Sequence, residues 1–504
     1  MDSVKILFSI ISNFTTFILD FLFFFFLRIY FDIEIIGQYG ILNSLFMIFS
    51  FLLALGFTTA YLKIIFETKN STDEAICNGT FLFIRIVQFL IYLFTILVSF
   101  PLFLSSGKPN VIYLYLIGNL LGFASLNIFE YYYVYQKKIF IKSVAIIISS
   151  LIKIILLIFL TGIFKKDIVL IGYIYLISNL SLFAIFVYFL RDIKIKRPNK
   201  IFLKKFLQFT FPLILLNSIV TIVRYLDVFL INMWFPIEEV ANFFTAKQFI
   251  DFFLSVAVGI SYILLTFFSE NVGLGKKEEN FTLIKKVHRL LNLLIVPMVF
   301  ITFLYSTRII VFILGDTYRS TGIYISILSI NLIILSVDIA NRVYLRAIGE
   351  VNLYATIMII HSLLGIFLLI FFISPIFLNM GAIGGVIATV ISWFIKQLIS
   401  RPIFYKMYGL GFYWGLFRNI AMMFLVFFFQ IFINTLLDYS IYYIPFFILL
   451  DLFLYFLLNY FFKGFNKEDL RFFLKLINYK NIKESIYSEM KGVKSSNSNI
   501  NKKN

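Results

Sequence analysis

Four cations sit inside long apolar stretches, away from their ends: Arg85, Lys153, Arg224 and Lys247. A charge held in hydrocarbon costs roughly 2.5–3.5 kcal/mol on insertion scales. Each of these side chains therefore calls for a water-filled cavity, a buried counter-charge, or a stem long enough to carry the head to the interface. Arg85 is near enough to the start of its stretch for the last of these to stand equally with a functional role. For Arg224 and Lys247 the spacing favours a cavity. Asp227 lies three residues after Arg224, and Asp251 four after Lys247, so each cation and acid share a helix face. Asn217, Asn232, Asn242 and Gln248 add polar atoms to the same two segments. A cationic recess of this kind attracts an anion; its chemistry is binding, not bond-making. Asp20 and Glu130 are isolated acids in the first half and candidates for ion coupling, with Asn119 the isolated amide beside them. Asp338 and Arg342 repeat the four-residue spacing near the end of a later stretch, where a plain interfacial pair is the simpler reading.

Other chemistries lack their residues. No Gly-rich phosphate loop with its Lys-Ser/Thr is present, which argues against ATP-driven work by this chain. His288, in a basic segment, and His361, in an apolar one, have no metal-ligand spacing; the first is expected at the surface and the second packed. Cys77 is the single cysteine, so no intrachain disulfide and no cysteine-built metal site exist. No cofactor, no metal and no enzymatic activity are expected.

The elements that must position these residues are transmembrane helices. The chain of 504 residues is 61% hydrophobic and 14% charged, with 67 Phe, against about 25% charged in a soluble domain. Apolar runs long enough for a bilayer core of about 30 Å follow one another from Ile6 to Phe462. Spans are predicted at 6–30, 40–62, 80–104, 110–134, 142–164, 168–190, 205–234, 241–268, 290–314, 320–346, 352–375, 380–400, 413–437 and 441–462, with Pro212 and Pro297 expected to kink or break theirs. The class is all-α and polytopic, with about fourteen spans and about twelve as the fallback. Lys and Arg gather in alternate loops, for example Lys194 to Lys205 and Lys276 to Arg289, whereas the others hold only Arg28, Lys108, Lys165, Lys166, Arg308 and Arg319. The positive-inside rule then places both termini in the cytoplasm. The net charge of +18 is spread along these loops facing anionic lipid, which argues against nucleic acid as a partner. The tail, 464–504, opens on an amphipathic stretch and ends too polar to fold.

A weak repeat divides the chain. Gly37-Gln-Tyr39 corresponds to Ala241-Asn-Phe243, Glu130 with Val134-Tyr135 to Asp338 with Val343-Tyr344, and Ile171-Gly172 to Ile383-Gly384. The copies lie about 205 residues and six spans apart, so the halves share one orientation around an axis along the membrane normal. The expected organisation is an N-terminal six-helix lobe (1–200), a second (201–405), two additional spans (406–463) and a cytoplasmic tail (464–504), with a central cavity as in a transporter.

Phe209-Thr-Phe-Pro212, Arg224-Tyr-Leu-Asp227, Glu239-Val-Ala-Asn-Phe243, Phe268-Ser-Glu270, Ile36-Gly-Gln-Tyr-Gly40, Leu314-Gly-Asp-Thr-Tyr318 and Gly381-Ala-Ile-Gly-Gly385 occur in an order and spacing that resembles the polysaccharide biosynthesis and O-antigen flippase family. These are Wzx-type members of the superfamily that also contains the multidrug and toxic-compound extruders. The resemblance covers about residues 5 to 400. It implies a cell-membrane flippase that moves a polyprenyl-pyrophosphate-linked oligosaccharide to the outer leaflet by alternating access. Arg224, Lys247, Lys153 and Arg85 would supply the cationic cavity, with Asp227 and Asp251 beside them. Lipid-linked oligosaccharide, membrane lipids and glycan-assembly proteins are the implied partners. One departure is Ala241, where the family has Gly. Two rivals stay open: a cation-coupled multidrug extruder of the same fold, with Asp20 as its ion site, and a membrane polysaccharide polymerase or ligase.

Overall fold

The computed structural model describes residues 3–50, 57, 60–61, 64–65, 68, 70–103, 117–119, 121–122, 139–190, 194–436, 441–462 and 464. Among them there is no strand. The long helices are α1 (Ser3–Tyr30), α2 (Ile33–Phe49), α3 (Ser71–Phe103), α4 (Ile139–Ile163), α5 (Ile168–Leu190), α6 (Lys200–Trp234), α7 (Ile237–Gly273), α8 (Lys277–Leu314), α9 (Arg319–Ala347), α10 (Val351–Ile373), α11 (Gly381–Tyr408), α12 (Gly415–Leu436) and α13 (Ile444–Phe461). Among the described residues, nine helical stretches are long and apolar enough to cross a membrane. Most of the span expected at 110–134, with Glu130, lies outside the described residues, as does nearly all of the tail.

Several helices exceed their apolar cores. α8 begins at Lys277, so the basic segment holding Lys285, Lys286, His288 and Arg289 is helix and not loop. His288 is buried there, its ring 6.3 Å from that of Tyr413, which corrects its expected place at the surface. Arg28, grouped above with the loop cations, is instead buried in the last turn of α1. The expected breaks at Pro212 and Pro297 are absent: α6 and α8 run on through both. Only one hydrogen bond is lost at a helix proline, and neighbouring helices can carry the strain in a membrane.

The chain forms two compact units. One comprises residues 15–252 and 352–396, the other 1–14, 253–351 and 397–504. In the first, α4 packs on α5, and α6 on α2 and α3. The connector after α5 is pinned along α3: Lys196 N donates to Ala75 O at 2.9 Å, Asn78 Nδ2 to Lys194 O at 3.3 Å, and Asn199 N to Thr80 Oγ1 at 3.1 Å. Asn199 then caps α6, its side chain accepting from Ile201 N at 2.7 Å.

In the second unit α8 and α9 are joined by small polar rungs. Ser336 Oγ donates to Asn292 Oδ1 (2.9 Å), Thr302 Oγ1 to Ser329 Oγ (2.8 Å), and Ser306 Oγ to Gly322 O (2.8 Å). Small side chains let two backbones approach, and their hydroxyls find partners where water is absent. α12 and α13 pack on α8 through Leu293, Val296, Met422, Met423 and Tyr455. Tyr305 Oη donates to the buried Asp451 of α13 at 2.8 Å.

Candidate functional site

The seventh and eighth predicted spans are α6 and α7, turned back on each other at Phe235-Pro236. The turn puts Arg224 and Asp227 of α6 opposite Lys247 and Asp251 of α7, and the pairs form across the helices. Lys247 Nζ lies 2.6 and 2.8 Å from the two oxygens of Asp227 and also donates to Arg224 O. Arg224 Nη2 lies 2.9 Å from Asp251 Oδ1. The spacing in sequence pairs each cation with the acid on its own helix; in the structure the partners are exchanged. The facing helix supplies a carboxylate at shorter reach than one turn along the same helix does. On α9 the same-helix pair does form: Arg342 and Asp338 lie 2.6 Å apart.

The two cross-helix pairs differ in access. Lys247 and Asp227 keep 14% and 7% of their side-chain surface, whereas Arg224 keeps 52%. The Arg224 guanidinium is therefore accessible, whereas the Lys247 ammonium is enclosed. Tyr225 lies between the cations, its ring 5.7 Å from the Arg224 guanidinium and 5.1 Å from Lys247 Nζ. A planar guanidinium with a half-open face suits an oxyanion.

A second pair lies on α1 and α4. Lys153 Nζ is 3.1 Å from Asp20 Oδ1, joining two residues that the sequence reading held apart, one for substrate and one for ion coupling. Lys153 also lies 5.2 Å from the rings of Phe23 and Tyr175. Tyr175 and Tyr39 share a hydrogen bond of 2.6 Å between their hydroxyls, and the Tyr39 ring meets Phe244 of α7 edge-on at 5.6 Å. Arg28, which the sequence reading missed as a site residue, donates to Thr245 Oγ1 at 3.0 Å and to Phe24 O, over the Phe244 ring. A signal was available: Arg28 ends an apolar run while still inside the predicted span. Phe21 against Phe249 and Phe252 completes the contact of α1 with α7. The two charge groups are thus linked side chain by side chain through α7. Arg85 is elsewhere on α3, buried, bonded to Gln88 at 2.8 Å and over the Phe81 ring.

The glycine motifs account for the close approaches. At Gly37 a side chain would run into Ile237 of α7, backbone included, and at Gly40 into the Phe244 ring at 2.9 Å. Gly37 and Ala241 are repeat partners, so the starts of the two corresponding helices meet at this point. Gly381, at φ 58°, turns the chain into α11, whose Ala382 N donates to Glu239 Oε2 at 2.9 Å.

Residues 4–271 match the family described as polysaccharide biosynthesis protein. No curated protein matches the sequence significantly. Among solved structures the fold is similar to that of the lipid II flippase MurJ in an inward closed conformation, with a TM-score of 0.70 and 18% identity over 91% of this chain and 98% of that one. It is also similar to an inward-facing multidrug resistance MATE family transporter of the MOP superfamily (TM-score 0.62, 15% identity, 80% and 95% covered). A third is a MOP superfamily transporter from Pyrococcus furiosus, reported for the reverse polarity of its binding pocket (TM-score 0.57, 16% identity, 80% and 96% covered). At these identities the likeness is one of fold.

Proposed function

The chain belongs to the polysaccharide biosynthesis protein family, and on that premise we propose that it is a flippase carrying a polyprenyl-pyrophosphate-linked oligosaccharide from the cytoplasmic to the outer leaflet of the cell membrane. The observation that carries this reading is the half-open Arg224, held by Asp251 against the Lys247–Asp227 pair. In this state each cation is matched by an acid, so an incoming diphosphate must compete with a carboxylate. Asp251 is the one it displaces, because Arg224 is the reachable cation and its pair the more exposed. Lys247 stays on Asp227 and adds field without moving. Lys153, held by Asp20, offers a further ion pair that an anion can open, and low-dielectric walls strengthen the attraction between the anion and the cation so freed. The repeat-related halves, 1–200 and 201–405, rock about the site, with both termini in the cytoplasm.

The charge of the cargo separates this reading from a multidrug extruder, which would carry organic cations. Deleting the gene should trap lipid-linked oligosaccharide in the inner leaflet and leave sensitivity to cationic dyes unchanged. A deletion that sensitises cells to such dyes while surface glycan stays normal, with Asp20→Asn doing the same, establishes the extruder.

A further inference from the structure

Outside the α6–α7 site, the second compact unit gathers a buried polar cluster where the end of α9, the end of α11 and the starts of α8 and α12 converge. Arg401 of α11 donates to Val337 O of α9 and stacks over the Phe412 ring at 5.5 Å. Asp338, adjoining Val337, is fully buried and paired with Arg342 at 2.6 Å. His288 and Arg401 are both within electrostatic reach of Asp338. Asn419 of α12 lies on the face whose Leu416, Met422 and Met423 pack against Leu293 and Val337.

Two features of this cluster need a ligand. The first is charge: among the described residues Asp338 is shared by two guanidiniums, those of Arg342 and Arg401, and a cation in a low-dielectric site that shares its counter-ion favours an added anion. The second is a set of buried polar atoms that no described protein group satisfies: Nε and Nη1 of Arg401, Oγ of Ser400, Nε2 of His288, and both amide atoms of Asn419. Ser400, His288 and Asn419 are each at least 98% buried, and such groups rarely go without a hydrogen bond. Water would satisfy the amide and the hydroxyl but leave the charge. Arg401 is only half-buried, so the cluster has a mouth.

We propose that this cluster is a second anion site, distinct from the α6–α7 pairs, that holds a singly charged phosphate oxyanion against Arg401. Two sources share that chemistry, the phosphodiester of an anionic phospholipid and free inorganic phosphate. The amide of Asn419 and the hydroxyl of Ser400 supply neutral donors, and Asp338 sets the valence by cancelling Arg342.

The test uses the full chain in neutral detergent, in an Arg224→Gln background so that failure of the export site and failure of this one read separately. One arm measures radiolabelled inorganic phosphate by equilibrium dialysis. The other measures phosphatidylglycerol against phosphatidylcholine retained in native mass spectrometry. One bound equivalent is expected in one arm, which names the source, and Arg401→Gln should weaken it by about tenfold or more, the loss of a charge-assisted contact. Asn419→Ala, which leaves every charge in place, should weaken the same signal and serves if Arg401→Gln does not accumulate. No retention in either arm, or retention that neither substitution lowers, overturns the proposal and leaves the cluster as hydrated packing.

Discussion

At the residue scale the cations were legible and their partners were not. Arg224, Lys247 and Lys153 stand out because a charge within an apolar run is costly wherever it lands. Partner choice depends on which helix faces which, and sequence spacing carries only same-helix neighbours. Hence Arg224 shares a helix face with Asp227 in sequence and bonds Asp251 in the structure, and the pairing of Asp20, a candidate for ion coupling, with Lys153 becomes visible only once α1 and α4 are placed together. Double-mutant cycles on melting of the purified protein can read the exchange directly. Asp227 and Lys247 should couple by roughly 0.5–3 kcal/mol, and more strongly than Arg224 and Asp227 do. The two cations should also fail differently. Lys247→Ala leaves the 7% exposed side chain of Asp227 without its ion pair and should lower stability by about 3–5 kcal/mol. Arg224→Gln should keep abundance and melting near wild type and lose glycan export. Reduced abundance with normal export in both variants would make the quartet a structural clamp.

At the element scale, apolar length located the helices but not their ends. α6 and α8 start before their apolar cores, because lysine and arginine are good helix formers and nothing in Lys277 to Arg289 breaks a helix. This is why His288 passed for a loop residue and is buried. The opening motif Ile36-Gly-Gln-Tyr-Gly40 was legible as a repeat, yet its purpose emerges only when α7 is placed against it. Gly40→Leu should force the Phe244 ring aside and cost about 1–3 kcal/mol. Gly162→Ala, in α4 with nothing within 4 Å of the new methyl, should be neutral or stabilising by up to about 1 kcal/mol. Thermal melts of the two variants check this; equal shifts would deny that α2 and α7 depend on close approach. Glu239→Ala removes the acceptor at the start of α11 and should cost about 0.5–2 kcal/mol, with Glu239→Gln recovering most of it.

At the scale of the whole molecule, composition and apolar length pointed to a polytopic helical protein and the ordered motifs resembled the polysaccharide biosynthesis and O-antigen flippase family; the family match agrees, and the fold is similar to those of solved transporters. Helix packing could not be read the same way, since the compact units join segments distant in sequence, such as 15–252 with 352–396. The proposed orientation is open to cysteine labelling on an almost silent background, because Cys77 is buried. An impermeant thiol reagent should modify a cysteine placed at Lys165 and spare one at Lys277; the reverse pattern inverts the molecule. The central claim is the transport of an anionic lipid-linked sugar through the α6–α7 charges, and the most direct measurement is made in proteoliposomes carrying a fluorescent polyprenyl-pyrophosphate oligosaccharide in one leaflet. Wild type should move it to the other leaflet at a rate that falls with added salt, Arg224→Gln should abolish the movement in a folded protein, and an organic cation dye should not be carried. Transport of the dye together with an unmoved lipid-linked sugar would contradict the account.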